Sequence, residues 1–156
     1  MKRTGESLHT RWWRLVFNWF PAFRGTGARV TYIARDWREI HVTLPLSWRT
    51  RNYVGTIYGG SMYSAVDPMY MIMLIRILGE EYVVWDKAAS IRFRRPGRSR
   101  LFATFQLTDQ EIDEIRALLD SATKTDRTYT IDLVDRQGEV YASVDKVIHI
   151  RRRETP

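Results

Sequence analysis

Between residues 28 and 46 apolar side chains recur at every second position. Val30, Tyr32 and Ala34 alternate with polar neighbours, and Ile40, Val42 and Leu44 repeat the pattern, which predicts two strands. Arg35–Asp36–Trp37–Arg38 reads as the hairpin turn between them. His41 lies on the opposite side of its strand from Ile40, Val42 and Leu44 and is expected in solvent. Trp48 to Tyr58 reads as loop, broken by Asn52 and Gly55. The pattern then changes: Gly59 to Leu78 is apolar nearly all round, as in a buried helix, with Gly79 at the stop position. Pro68 falls inside it. A mid-helix proline removes a backbone bond, here the one to the Ser64 carbonyl, and costs ~3 kcal/mol. It also displaces Asp67 from ideal helical geometry, so a buried carboxylate beside a kink is predicted.

Tyr82 to Arg95 returns to strand periodicity, with Ala89, Ile91 and Phe93 on one face and Ser90, Arg92 and Arg94 on the other. Pro96–Gly97 makes the turn. Leu101, Ala103, Phe105 and Leu107 alternate in the next strand. Residues 108–122 suit a helix: Thr108 and Glu111 have capping-box spacing, and Ile112, Ile115, Leu118 and Leu119 form its apolar face. Thr128–Val134 and Val140–Ile150 read as two last strands, joined at Asp135–Arg136–Gln137–Gly138. The predicted class is α+β, with about six mostly antiparallel strands, a buried central helix and two other helices.

The first helix carries two readings. Trp12, Leu15, Val16, Trp19 and Phe20 share one face at the helical period, Arg11, Arg14 and Asn18 lie opposite, and Pro21 should end it. The stripe is expected to pack on the core; the alternative is an interfacial helix, since Trp and Arg suit a lipid headgroup layer. Lys2 and Arg3 precede it as in a signal peptide, but Arg14 and Asn18 interrupt the stretch and no small-residue cleavage site follows.

The chain has 156 residues, 44% hydrophobic and 28% charged, enough for one domain with its own core. It divides into an N-terminal helix and lead-in at 1–27, a main body at 28–151 and a basic tail at 152–156. Arg151–Arg152–Arg153 is expected to be a disordered end. With no cysteine, disulfide scaffolds, thiol nucleophiles and Cys-ligated metals are excluded. His9, His41 and His149 show no metal-ligand spacing, and no Gly-x-Ser-x-Gly elbow is present. The longest apolar run, Met69 to Ile75, falls short of the ~18–20 residues of a membrane span, and a cytoplasmic location is expected. The net charge of +7 points to an anionic partner, although no recognised nucleic-acid motif is present.

The segment from Asn52 to Asp67 reads Asn-Tyr-Val-Gly-Thr-Ile-Tyr-Gly-Gly, then Ser-Met-Tyr-Ser-Ala-Val-Asp. It resembles the Asn-x-x-Gly-x-x-His-Gly-Gly-x6-Asp pattern of hotdog-fold acyl-CoA thioesterases of the phenylacetate-degradation type. Asn52, Gly55, Gly59, Gly60 and Asp67 fall on pattern positions, and Ser-Ile-Arg-Phe-Arg-Arg-Pro-Gly looks like that superfamily's third strand and turn. The resemblance covers roughly residues 28–151. It implies a hotdog fold, an antiparallel sheet wrapped round a long helix. It also implies thioester hydrolysis without a cofactor beyond the coenzyme A of the substrate, in dimers or dimers of dimers with shared sites. One position departs: the family's His is Tyr58 here, and a phenol of ordinary pKa ~10 mostly donates a hydrogen bond.

The residues suit that chemistry. Free amides at the helix start, with Gly59 and Gly60 giving close access, would hold a thioester carbonyl. Asp67 would be general base or nucleophile; the alternative is a carboxylate capping the broken turn. Gly60 and Asp67 are seven apart, on one helix face but ~10 Å along it. A second subunit is therefore expected to bring Asp67 to the carbonyl, and an obligate dimer is predicted. Asn52 would orient water or close its own turn. Ser61 has the type of a helix cap. Arg92, Arg94, Arg95, Arg98 and Arg100 cluster as a basic face or as a coenzyme A phosphate site, the latter centred on Arg94, Arg95 and Arg98. Met62, Met69, Met71 and Met73, with Tyr63 and Tyr70, would fill the core or line an acyl pocket. Hydrolysis of acyl-CoA or acyl-carrier-protein thioesters is the expected function. A non-catalytic acyl or coenzyme A binding module is its rival, and a dehydratase is disfavoured because that branch needs a His with an acidic partner.

Overall fold

A computed structural model describes residues 5–153. Two helices, α1 (Leu8–Trp19) and α2 (Pro21–Gly25), precede strands β1 (Arg29–Ile33) and β2 (Glu39–Leu44). Helices α3 (Gly59–Val66) and α4 (Met69–Leu78) follow, then β3 (Tyr82–Phe93), β4 (Leu101–Gln106), α5 (Asp109–Ser121), β5 (Lys124–Val134) and β6 (Val140–Arg152). The strands form one antiparallel sheet in the order β1-β2-β4-β5-β6-β3. The predicted alternation holds: Ile40, Val42 and Leu44 on β2 and Leu101, Ala103 and Phe105 on β4 are buried, as is Leu107 just after it. Val144, Ile148 and Ile150 of β6 join them. Against this face pack Met62, Ala65, Val66, Met69, Met73 and Leu74 of α3 and α4. Burying each large side chain is worth roughly 1.5–3 kcal/mol, which makes this contact the main source of stability.

The predicted single central helix is two. Asp67 and Pro68 stand between α3 and α4, both with right-handed backbone. The Asp67 amide still donates to the Tyr63 carbonyl at 3.1 Å and the Pro68 carbonyl accepts from the Ile72 amide at 3.0 Å, so the ladder is interrupted at the proline nitrogen. The cause is the missing proline N–H. Gly79 ends α4 with φ +90 and ψ -173, an extended positive-φ conformation that glycine adopts without strain. Helix α5 starts at Thr108, whose hydroxyl accepts from the Glu111 amide at 3.1 Å. Glu111 does not complete a capping box; its carboxylate binds Arg127 and Tyr129 of β5.

Three expectations are corrected. The stripe of Trp12, Leu15, Trp19 and Phe20 faces solvent. The helix docks instead through Trp13 and Phe17 and through Asn18, from the side read as polar. The Asn18 side chain acts as a strand edge: Nδ2 donates to the Val30 carbonyl at 2.9 Å and Oδ1 accepts from the Val30 amide at 2.8 Å. Asn18→Ala is expected to destabilise the protein by about 1–3 kcal/mol, because it orphans both partly buried backbone groups; urea unfolding measures it. Second, His41 is only partly exposed: Nε2 lies 2.6 Å from Glu39 Oε1, and the ring packs on Tyr32. Third, Arg151 and Arg152 are not a disordered tail. They extend β6, and Arg152 bonds to the Leu119 carbonyl and Asp120 of α5. The Arg153 amide bonds to the Glu81 carbonyl. Residues 154–156 lie outside the described residues.

The predicted turn at Arg35–Arg38 is present, with a feature the pattern did not show. Trp37 has φ +61, a conformation that costs a bulky residue about 1–3 kcal/mol. Its buried ring packs against Trp13 and Phe17 of α1 and under the Arg76 guanidinium of α4. That packing holds the strained turn and fixes α1 beside the central helix.

Candidate active site

The loop before α3 brings the quoted segment together. Asn52 closes it: its amide donates to the Thr56 hydroxyl and its carbonyl oxygen accepts from the Thr56 N–H, both at 2.9 Å. Gly55, with φ +82, turns the chain inside that closure. Both polar ends of Asn52 are thus engaged in the turn, one of its two expected roles; the second amide hydrogen and the second oxygen lone pair are what it retains for a water. Tyr58, in extended conformation, is the residue before the first turn of α3. Ser61, expected as a cap, lies inside the first turn and is buried. The amides of Gly59, Gly60 and Ser61 precede the first i−4 carbonyl of the helix and point out of its positive end.

Two aromatic rings crowd this end. A β-carbon at Gly59 would lie 2.8 Å from the Phe93 ring, and one at Gly60 would overlap the ring of Tyr58. The Pro96–Gly97 turn also seats here: the Ile57 amide donates to the Gly97 carbonyl at 2.8 Å, and a side chain at Gly97 would strike Met62. The arginine turn is therefore adjacent to the helix start. Its charges are unequally available. Arg92 pairs with Asp145 and Arg95 with Glu139, both at 2.8 Å, and Arg94 Nε donates to the Ser143 hydroxyl. Arg98 and Arg100 carry no carboxylate partner among the described residues. Arg100 lines a small pocket with Arg136 of the β5–β6 turn, a residue the sequence did not single out.

Asp67 lies at the break between α3 and α4. Its side chain is 40% exposed, not buried as expected. Lys146 of β6 reaches it from beneath: Nζ donates to Asp67 Oδ1 at 2.5 Å and sits 3.0 Å from Asp86 Oδ1 of β3. Lys146 is 1% exposed. Burial alone would push its ammonium down; the two carboxylates outweigh this and raise it. Burial raises the Asp86 carboxyl above its ordinary range, Lys146 opposing and Asp67 adding to the rise. The Tyr63 phenol is raised by burial, then by Asp67, and the Lys146 ammonium lies 5.5 Å from its ring centre. Lys146, Asp86 and Tyr63 were not picked out from the sequence. The signal was available for Lys146: it shares the strand face of Val144 and Ile148, where a charge demands partners.

The outer side of Asp67 opens into an apolar groove of about 610 Å³ between α1–α2 and the central helix pair. Phe17, Phe20, Phe23, Pro68, Met71 and Ile72 are among its walls. The methionines therefore divide. Met62, Met69 and Met73 are core, while Met71 faces the groove. Among the described residues no three His, Asp or Glu side chains are grouped to hold a metal ion, and no helix is long and apolar enough to cross a membrane.

Residues 10–150 match the family described as a domain of unknown function, DUF4442. The chain belongs to this family. The matched span takes in α1 from Thr10 onward. No curated protein sequence matches the chain. Solved structures do. A Pseudomonas aeruginosa protein of unknown function, named a probable thioesterase, superposes with TM-score 0.81 at 18% identity, over 97% of this chain and 99% of that one. A Haemophilus influenzae thioesterase gives 0.67 at 14%, over 96% and 94%. The E. coli PaaI protein of the phenylacetic acid degradation operon gives 0.61 at 17%, over 94% and 95%. The fold of this DUF4442 protein is the hotdog fold, as the resemblance implied.

Proposed function

We propose that the protein hydrolyses acyl thioesters of coenzyme A or an acyl carrier protein. The observation that carries this reading is Asp67: a carboxylate anchored by a buried lysine through one oxygen, at a helix break, on the wall of an apolar groove. The acyl chain occupies the groove. Asp67 takes a proton from water as the water oxygen attacks the thioester carbonyl carbon. Helix-start amides at Gly59 and Gly60 hold the oxyanion, with Tyr58 beside them. The intermediate collapses, the C–S bond breaks, and the leaving sulfur takes the proton from Asp67. Arg98, with Arg94 and Arg95 next to it, faces the coenzyme A phosphates.

A second subunit supplies the oxyanion amides, since Gly60 and Asp67 of one chain stand about 10 Å apart along the helices. The place for it is the outer edge of β3, a twelve-residue strand at the end of the sheet. Its free N–H and C=O groups are a template for pairing with a second copy. A homodimer, or a dimer of such dimers, follows.

One observation favours a second reading, a non-catalytic acyl-binding module. The Tyr58 ring lies over Gly60, where a carbonyl would dock. Thiol release from short, medium, long-chain and aromatic acyl-CoAs distinguishes them. Hydrolysis predicts turnover on at least one substrate class. Binding without thiol release across the panel would replace hydrolysis by the binding module.

A further inference from the structure

We infer that the exposed face of α1 and the arginine pocket beside it dock the protein on an anionic phospholipid surface, a property separate from the proposed hydrolysis. Leu8, Trp12, Leu15 and Trp19 are spaced four, three and four apart, which places them within an arc of about 60° on the helix. All four are exposed, Trp19 to 70%. The helix is held from its other side by Asn18, Trp13 and Phe17, so this row is free to meet a partner.

Across a cavity of about 540 Å³ from Leu15 and Trp19 stands Trp48, 86% exposed. Arg14, Arg24, Arg29 and Arg49 line the same cavity, and among the described residues no Asp or Glu does. Arg14 is paired with Glu6; the other three have no carboxylate partner among the described residues. The Arg24 guanidinium lies 5.1 Å from the centre of the Trp19 ring, and Arg49 lies 5.9 Å from that of Trp48.

The occupant follows from charge and shape. A second copy of this chain meeting the face through a two-fold axis would set arginine against arginine with no acid to pair them. A soluble phosphate would satisfy the arginines but leave the projecting row of Leu and Trp in water. An anionic bilayer supplies both partners at once: phosphates for the guanidinium groups and an interfacial layer where Trp side chains partition. Val16 and Phe20 of α1 also wall the groove that holds Asp67, so the helix that meets the lipid borders the acyl site.

The test is flotation of the full chain with vesicles of phosphatidylcholine alone and of phosphatidylcholine mixed with phosphatidylglycerol. Wild type, Trp12→Ser/Trp19→Ser and Arg24→Gln/Arg49→Gln are compared, with circular dichroism as the folding control. Binding is expected to the mixed vesicles and to be weak on the neutral ones. The arginine variant should bind roughly 25-fold more weakly, at about fivefold for each arginine near the surface. The tryptophan variant should lose binding at least tenfold. Equal binding by wild type and the tryptophan variant would assign the attraction to net charge and overturn the proposal. Absence of binding to mixed vesicles would overturn it, as would full competition by soluble pyrophosphate. A self-association that disappears in the tryptophan variant, without lipid binding, would make the face a protein interface instead.

Discussion

Asp67→Asn is expected to lower thiol release by about 10²- to 10⁴-fold, the usual contribution of a positioned general base. Asparagine keeps the shape and an oxygen that still accepts from Lys146, but it cannot take a proton from water. The substitution should leave the fold intact, because Lys146 and Asp86 remain as a balanced ion pair. Steady-state kinetics on the best acyl-CoA substrate, with thermal unfolding of both proteins, is the measurement. A drop in kcat at unchanged stability supports the base. Turnover near the wild-type rate would retain hydrolysis but remove Asp67 from its mechanism. A fall in stability comparable to the fall in rate would return Asp67 to a structural role at the helix break.

Lys146→Met is expected to cost about 3 kcal/mol of stability at neutral pH. Two carboxylates would then face one another without a cation, one of them already raised by burial. In a domain of this size a loss of that order lowers Tm by roughly 6–12 °C. The pH dependence has a definite sign. Removing the ammonium raises the Asp86 carboxyl further. A carboxyl whose folded-state pKa lies above its unfolded value destabilises the fold increasingly as pH rises through that interval. The deficit against wild type should therefore be smallest in acid, below the ordinary carboxylate range, and grow toward neutrality. Urea unfolding across that range measures it. A deficit that does not change with pH would mean that Lys146 acts through packing alone. Asp67→Asn in the Lys146→Met background should recover part of the loss, since it removes one of the facing charges.

These two variants turn on a contact that links residues 79 positions apart, and the sequence carried only half of it. Pro68 in an apolar helix marked Asp67 as unusual, and that signal is strong because a mid-helix proline has a fixed chemical consequence. The lysine beneath was legible as a charge in phase with Val144 and Ile148, but its partners were not. Nothing local shows that β6 pairs with β3 and runs under the helix break. The quoted loop behaved similarly. Asn52, Gly55, Gly59 and Gly60 are where the pattern required them, yet the rings of Tyr58 and Phe93 over the two glycines depend on side-chain placement.

The six strands, α1, the apolar central segment and α5 were legible in chain order from the sequence alone; α2 was not, and the central segment read as one kinked helix rather than two. Period-two and all-round apolar patterns answer directly to burial on one face of a sheet or on every side of a central helix, and Pro and Gly punctuate them through backbone sterics. The tertiary structure decided which way α1 faces. Its stripe of Trp and Leu predicts burial by amphipathicity, but Asn18 satisfies the edge of β1 and Trp37 of the hairpin takes up Trp13 and Phe17 from the other side. A helix with apolar residues on both sides can bury only the side that its neighbours offer to receive. Here an edge strand with open backbone groups and a buried tryptophan made that choice, through contacts that exist only once the sheet is assembled.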